Sequence, residues 1–327
     1  MKKTLCRILS LALCAALACA LPAFAAETEA PVSGASAHMA PVRVWGAVTR
    51  LESGSLLLQN SDESDPNREI VVHIAQTTPV VDAVSGLPVE LSTIKDGDTV
   101  CAWVGPAMTM SLPPQASASA VVANIPADGA APQYYEITGP DQTVTIAIYP
   151  PPPRTAVHLP AAGGEVLTIP VSAQVSPWLT KQIVTLDDLT PGSRILAWRD
   201  TDGGISRVLL LPNTFRGYLL AWAGADSVFL NGERLSVSGK ASDGQVLLPI
   251  RAVAEAAGYQ VDWVAGKGAV VSDGGETVFS VLPGSKTART ADEERGLTGP
   301  CVFESGVTYL PAGDLASLLN LFFSPGA

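Results

Sequence analysis

The chain has 327 residues, 47% of them hydrophobic and 16% charged, with a formal net charge of −11. An acidic surface repels phosphate backbones, which excludes nucleic acid as a partner, and the apolar content excludes a disordered chain. With 26 prolines and 29 glycines punctuating short apolar runs, the expected fold class is mainly β, long enough for two or three domains.

Residues 1–25 have the layout of a secretory signal peptide. Lys2, Lys3 and Arg7 make a basic start, Ile8 to Ala20 an apolar run, and Ala23-Phe24-Ala25 a small-residue cleavage site. The run is shorter than the about 20 residues that span a bilayer. Cys14 and Cys19 lack the small-residue context that precedes a lipidated cysteine. No other long apolar run follows, so the mature chain is expected to have no transmembrane span. Cleavage after Ala25 removes three basic residues and no acid, taking the charge from −11 to −14. It leaves Cys101 and Cys301, which are either paired in an oxidising compartment or two thiols buried in strand-like runs. The expected location is secreted or extracytoplasmic, cell-wall association included.

Residues 26–40, rich in Ala, Ser, Glu and Pro, suit a flexible N-terminus. The first β module is expected at 41–130, opening as a meander. Its runs are Val42–Val48, Ser55–Gln59 and Glu69–Ile74, with an acidic loop, Asn60 to Arg68, before the third. A second module at 131–214 repeats it. Val89 to Val104 resembles Val184 to Arg199, each passing through a Gly turn into a strand containing Ala-Trp. Upstream, Glu69-Ile70-Val71 aligns with Glu165-Val166-Leu167, and downstream Ala120 to Pro126 aligns with Ser206 to Pro212. Both modules are therefore expected to be small and barrel-like, OB-like or similar, with Trp103 and Trp198 each closing one end of its own core. Tyr149-Pro150-Pro151-Pro152-Pro153-Arg154 favours polyproline II and is taken as a stiff loop.

The pattern changes in residues 215–327. Asn231-Gly232 between Val228-Phe229-Leu230 and Glu233-Arg234-Leu235 signals a tight hairpin. Val246-Leu247-Leu248 then leads through Pro249 into a helix with Ile250, Val253, Ala254 and Ala257 on one face, stopped by Gly258. Strand-like Tyr259 to Trp263, Ala269 to Val271 and Thr277 to Val281 follow. Asn231-Gly232, Leu248 to Gly258 and Val261-Asp262-Trp263 together resemble the copper amine oxidase N-terminal-like, or stalk, domain. The resemblance implies an α+β fold, an antiparallel sheet packed on one or two short helices. It implies neither copper nor amine oxidation, because the oxidase chemistry belongs to another domain. The family's second strand–Pro–helix unit falls on Gly306 to Asn320. It departs from the first copy: Ala312 stands for Ile250, Gly313 for Arg251, and no Gly stop precedes Leu321.

The chemistry-bearing residues are scattered. His38, His73 and His158 are isolated, without metal-ligand spacing. Ser92-Thr93-Ile94-Lys95 matches S-x-x-K but runs directly into the Asp96-Gly97-Asp98 turn and has no companion motifs. Asn60 to Asn67 lacks the Gly and closing Glu of a calcium loop. Arg251 and Glu255 are spaced as a structural helix pair. No catalytic, cofactor-binding or metal-binding residue is assigned, no cofactor is expected, and the binding surface is left unassigned. The expected function is that of a non-catalytic binding or structural protein of the cell envelope, meeting a protein or glycan there, with its oligomeric state open. The alternative is a carbohydrate- or metal-dependent extracytoplasmic enzyme or accessory module using scattered carboxylates such as Asp82, Asp96 and Asp98. A carbohydrate-binding module would show an exposed row drawn from Trp45, Trp103, Trp178, Trp198, Trp222 and Trp263.

Overall fold

The computed structural model describes residues 39–127, 129–142, 153–221, 227–242 and 244–325. The signal peptide, the 26–38 stretch with His38, most of the proline run and Trp222 lie outside the described residues. Among those described, strands dominate, and the only α-helices are two of seven residues each.

The first six strands are β1 (Val42–Arg50), β2 (Leu56–Gln59), β3 (Glu69–His73), β4 (Val80–Asp82), β5 (Thr99–Val104) and β6 (Gln115–Ala123). β1, β2 and β3 form the expected meander, β1 also pairs antiparallel with β5, and β5 with β6. A parallel β3–β6 ladder closes five strands into a barrel, and β4 adds to β6 outside the ring. This connectivity, a meander closed by one parallel pair, is that of a five-stranded Greek-key barrel of the OB type. Closure depends on Gly46. A Cβ there would lie 2.4 Å from the Gln59 carbonyl oxygen, so only glycine lets β1 approach β2 this closely while still pairing with β5. Ile70, Val100, Ala102 and Val121 point into the barrel core.

The next six strands repeat the order: β7 (Gln133–Glu136), β8 (Ala156–Pro160), β9 (Val166–Pro170), β10 (Gln174–Pro177), β11 (Arg194–Arg199) and β12 (Ile205–Leu210). β7 pairs with β11, β11 with β12, and β10 runs parallel to β12, as β4 does to β6. The ring is looser. β8 and β9 form their own ladder, joined to the β7 end through the Ile137–Ala161 bridge. β9 packs on β12 as part of one core. A short 3₁₀ turn precedes the Gly turn in both copies, at Leu91–Thr93 and Leu186–Asp188.

The ladder registers align the two copies residue by residue. Ala102 opposes Val121 and Ala197 opposes Val208; Trp103 opposes Ala120 and Trp198 opposes Arg207. Hence Ala120 corresponds to Arg207, one residue along from the match seen in sequence. Upstream, buried Ile70 likewise corresponds in burial to Leu167, since Val166 is exposed. A one-residue slip moves every side chain to the other face of a strand, so sequence similarity alone cannot separate these registers. The tryptophans also differ from expectation. Neither closes its own barrel. Strand alternation turns Ala102 and Ala197 inward and Cys101, Trp103, Leu196 and Trp198 outward. The two outer faces meet in a shared cluster that joins the barrels.

The C-terminal region has strands β13 (Gly217–Ala221) to β25 (Leu321–Pro325) and helices α1 (Ile250–Ala256) and α2 (Ala312–Leu318) around one core. Two hairpin–helix–strand units face each other. One runs β16 (Lys240–Ser242), β17 (Gln245–Pro249), α1 and β18 (Gln260–Val264); the other runs β23 (Val302–Glu304), β24 (Val307–Pro311), α2 and β25. β17 and β24 pair with Leu248 opposite Leu310. Between the units, β18 continues a sheet through β19 (Gly268–Asp273), β20 (Glu276–Val281), β21 (Thr287–Thr290) and β22 (Glu294–Gly296). The expected hairpin is present: β14 (Val228–Leu230) and β15 (Glu233–Leu235) flank Asn231 and Gly232, both with positive φ. α1 buries Ile250, Val253 and Ala254, and Gly258 ends it at φ 86°. The second unit is more complete than its sequence implies. Asn320, at φ 52°, takes the left-handed stop held by Gly258 in the first. The Tyr259 hydroxyl donates to the Leu319 carbonyl at 2.8 Å, tying the two helix ends together.

Candidate binding cleft between the barrels

Most candidates from the sequence prove to be local structure. Asp82 accepts from the Val84 and Ser85 amides and the Ser85 hydroxyl with one carboxylate oxygen, and from Asn124 with the other. Burial pushes its pKa up, but those hydrogen bonds outweigh it and the net shift is downward. Asp96 accepts from the Arg50 amide and Asp98 from the Lys95 amide, so both hold the turn around Gly97. Ser92 donates to Glu90 within the 3₁₀ turn. In the acidic loop, Asn60, Asp62 and Asp65 each accept a backbone N–H two residues on. His73 bonds to Ser55 and Gln115, and His158 to Thr168. Arg251 pairs with Glu255 at 2.9 Å and also donates to the Val261 carbonyl. Among the described residues no three His, Cys, Asp or Glu side chains converge where an ion could be held.

Cys101 and Cys301 are both free and buried, in different cores. Burial pushes the Cys301 thiol up to about 11. Burial also raises Cys101, where the Arg43 guanidinium, 3.1 Å from the sulfur, works the other way.

Four tryptophans, Trp45, Trp103, Trp178 and Trp198, do converge. Trp103 packs on Tyr134 of the second barrel with ring centroids 6.0 Å apart. Trp198 donates its indole N–H to the Ala83 carbonyl of the first barrel at 2.5 Å. The Arg207 guanidinium lies over the Trp198 ring at 3.8 Å and donates to the Val84 and Ser85 carbonyls at 2.8 and 3.1 Å. Each barrel thus inserts its repeat tryptophan into the junction, and Trp45, Trp178 and Trp198 are half-buried around it.

Beside this junction a cleft of about 410 Å³ opens. One wall is the Ser85–Pro88 turn of the first barrel. The other is β10 and its continuation in the second, with Gln174, Ser176, Trp178 and Thr180 on alternate residues. Trp198, Arg207 and Leu209 form the floor. Leu179 stands at the rim, 72% exposed, in the left-handed region at φ 54°. A bulky residue adopts that conformation only where its surroundings impose it. The lining contains one cation, Arg207, and no acid, but the Asp82 carboxylate that holds the Ser85 turn is near enough to act on Arg207, raising its pKa against the larger lowering by burial. Sequence inspection missed this site because its walls come from residues far apart along the chain. The one available signal was the repeat itself, read for where its copies differ.

In the C-terminal region, the paired hairpin–Pro–helix–strand units carry the motifs noted in the sequence. Residues 229–324 match the copper amine oxidase N-terminal domain. The match covers the C-terminal third of the chain, and no curated protein matches the chain. The copper of that domain's name has no fitting ligand set here. Residues 229–324 contain no histidine, and the sulfur of Cys301 is buried in the core. What this matched region does display is an apolar pair, Trp263 and Phe303, each 53% exposed, with ring centroids 5.8 Å apart.

Proposed function

We propose that this is an exported, non-catalytic binding protein of the cell envelope, with the copper amine oxidase N-terminal domain as its stalk-like part and the joined barrels as its binding part. The observation that carries this reading is the cleft. It sits on a junction stiffened by Trp103, Trp198 and Arg207, and its walls offer indoles, hydroxyls and an amide, the side chains of a preformed binding site. The matched domain family is stalk-like and non-catalytic, which is compatible with a binding role. Export rests on the signal-peptide pattern of residues 1–25. Among the described residues, no helix is long and apolar enough to cross a membrane.

Expression in a producing cell, followed by fractionation and N-terminal sequencing, tests the location. The expected product lies outside the cytoplasm, begins at Ala26 and co-sediments with isolated envelope. A chain retained in the cytoplasm with Met1 intact, or one that turns over glycan, peptide or ester substrates at enzyme-like rates, overturns the reading.

A further inference from the structure

The two barrels are copies that meet through equivalent faces, so each position at the junction has an internal reference. On the first barrel's side, Val81, Ala83 and Ala120 are buried in the shared cluster. Register places Ser176 at the position of Val81, because these residues oppose Leu209 and Val122, which correspond. Two residues on, Trp178 corresponds to Ala83; each donates its amide to the neighbouring strand, to Leu210 and Ala123 respectively. Arg207 corresponds to Ala120. All three replacements line the cleft. Where the first copy is sealed with small apolar side chains, the second carries a hydroxyl, an indole and a guanidinium around open space.

Trp178 packs on the shared cluster and Arg207 holds the Val84 and Ser85 carbonyls, but packing alone does not call for these exchanges. A buried Val packs better than Ser, and a guanidinium at a barrel junction must be desolvated. They do supply the groups that recognise a sugar acid. An indole offers an apolar face to the C–H face of a pyranose, Ser176 and Gln174 offer donors and acceptors to ring hydroxyls, and a guanidinium matches a carboxylate. Arg207 has five N–H donors, of which carbonyls of the cleft wall hold two, fixing its orientation. A peptide adding as a strand fits poorly, because Pro177 has no N–H to offer along the β10 edge. The volume suits one or two sugar rings.

We propose that the cleft binds a short oligosaccharide carrying a carboxylate, with Trp178, Ser176 and Arg207 as its contact residues. This rests on the binding-protein reading above and names the ligand class. Calorimetry on the purified chain tests it with two acidic probes, trigalacturonate and a tetrasaccharide alternating glucuronic acid and N-acetylglucosamine. The neutral N-acetylglucosamine tetramer is the control. At least one acidic probe should bind at micromolar to millimolar Kd, about tenfold more tightly than the neutral one. Ser176→Val and Trp178→Ala, each restoring the first barrel's residue, should weaken it about tenfold with thermal melting retained. Arg207→Lys should remove the preference for acid. No binding of either acidic probe, equal binding of the neutral one, or binding untouched by both Ser176→Val and Trp178→Ala overturns the proposal. Retention of the chain by isolated envelope, measured in parallel, separates the two readings. Retention without saccharide binding sinks only the ligand class.

Discussion

The first barrel is closed by a continuous parallel ladder between β3 and β6, whereas the second keeps the same strand order with β9 merely packed on β12. The two copies also differ at one equivalent position. Gly46 opposes Val100 and Tyr135 opposes Ile195, so glycine in the first copy stands where the second has a large side chain. With Gly46, β1 pairs with β2 through four residues; with Tyr135, the contact between β7 and β8 shrinks to one bridge beyond the end of β7. One topology thus tolerates two degrees of closure, and the looser copy is the one whose edge strand walls the cleft.

Gly46→Ala should break that contrast most strongly. It places a Cβ against backbone that cannot withdraw, at a cost of about 3 kcal/mol or more, whereas Tyr135→Ala should cost about 1 kcal/mol. Urea denaturation of both variants measures the difference, and similar losses would mean that Gly46 does not control closure.

A second pair tests the Gly turns before β5 and β11. Gly97 and Gly192 both have positive φ, near 90°. A Cβ on Gly97 meets nothing, while one on Gly192 lies 2.8 Å from Phe322 of the C-terminal domain. Gly97→Ala should cost about 1 kcal/mol of backbone strain, and Gly192→Ala about 1–2 kcal/mol more from the added clash. Equal melting shifts would remove Gly192 as a docking point for that domain.

The cysteines report on the junction and on the C-terminal core separately. Cys301 is held neutral, its pKa raised to about 11 from an ordinary 9.0. A thiol that ionises more readily when unfolded favours the folded state fully below pH 9, and that contribution is lost as pH rises through about 11. Melting temperature should therefore fall over this window, and the fall should be shallower in Cys301→Ala. Alkylation of Cys101 should instead track opening of the junction that buries it. Equal alkylation rates for the two thiols would indicate that barrels and C-terminal domain open together.

The smallest effect is expected at Ser176→Val. Its hydroxyl donates to the Val208 carbonyl at only 3.4 Å, so the stability change should stay within about 1 kcal/mol while the cleft loses a polar wall. A loss several times larger would make Ser176 a structural residue instead.

Local chemistry was legible wherever a short stretch specifies its own conformation. The Asn231-Gly232 hairpin, the α1 stripe ended by Gly258 and the repeated Gly turn before Ala-Trp depend on neighbours in sequence, and the matched domain was legible through them. The stop at Asn320 was missed because asparagine enters the left-handed region less often than glycine, so the residue type alone did not signal it. β13 and its parallel partner β25 join the two ends of the C-terminal region, a pairing with no local signature.

By itself, then, the sequence determined the β-rich class, the repeated segments of the first two modules and the resemblance of the C-terminal third to the copper amine oxidase N-terminal domain, because composition, turn residues and periodicity act over a few residues. Only the tertiary structure decided which face of each repeat strand points outward. That choice turned Trp103 and Trp198 from presumed core plugs into the joint between barrels. It also set Ser176, Trp178 and Arg207 around open space, since register and docking depend on contacts that chain order does not encode.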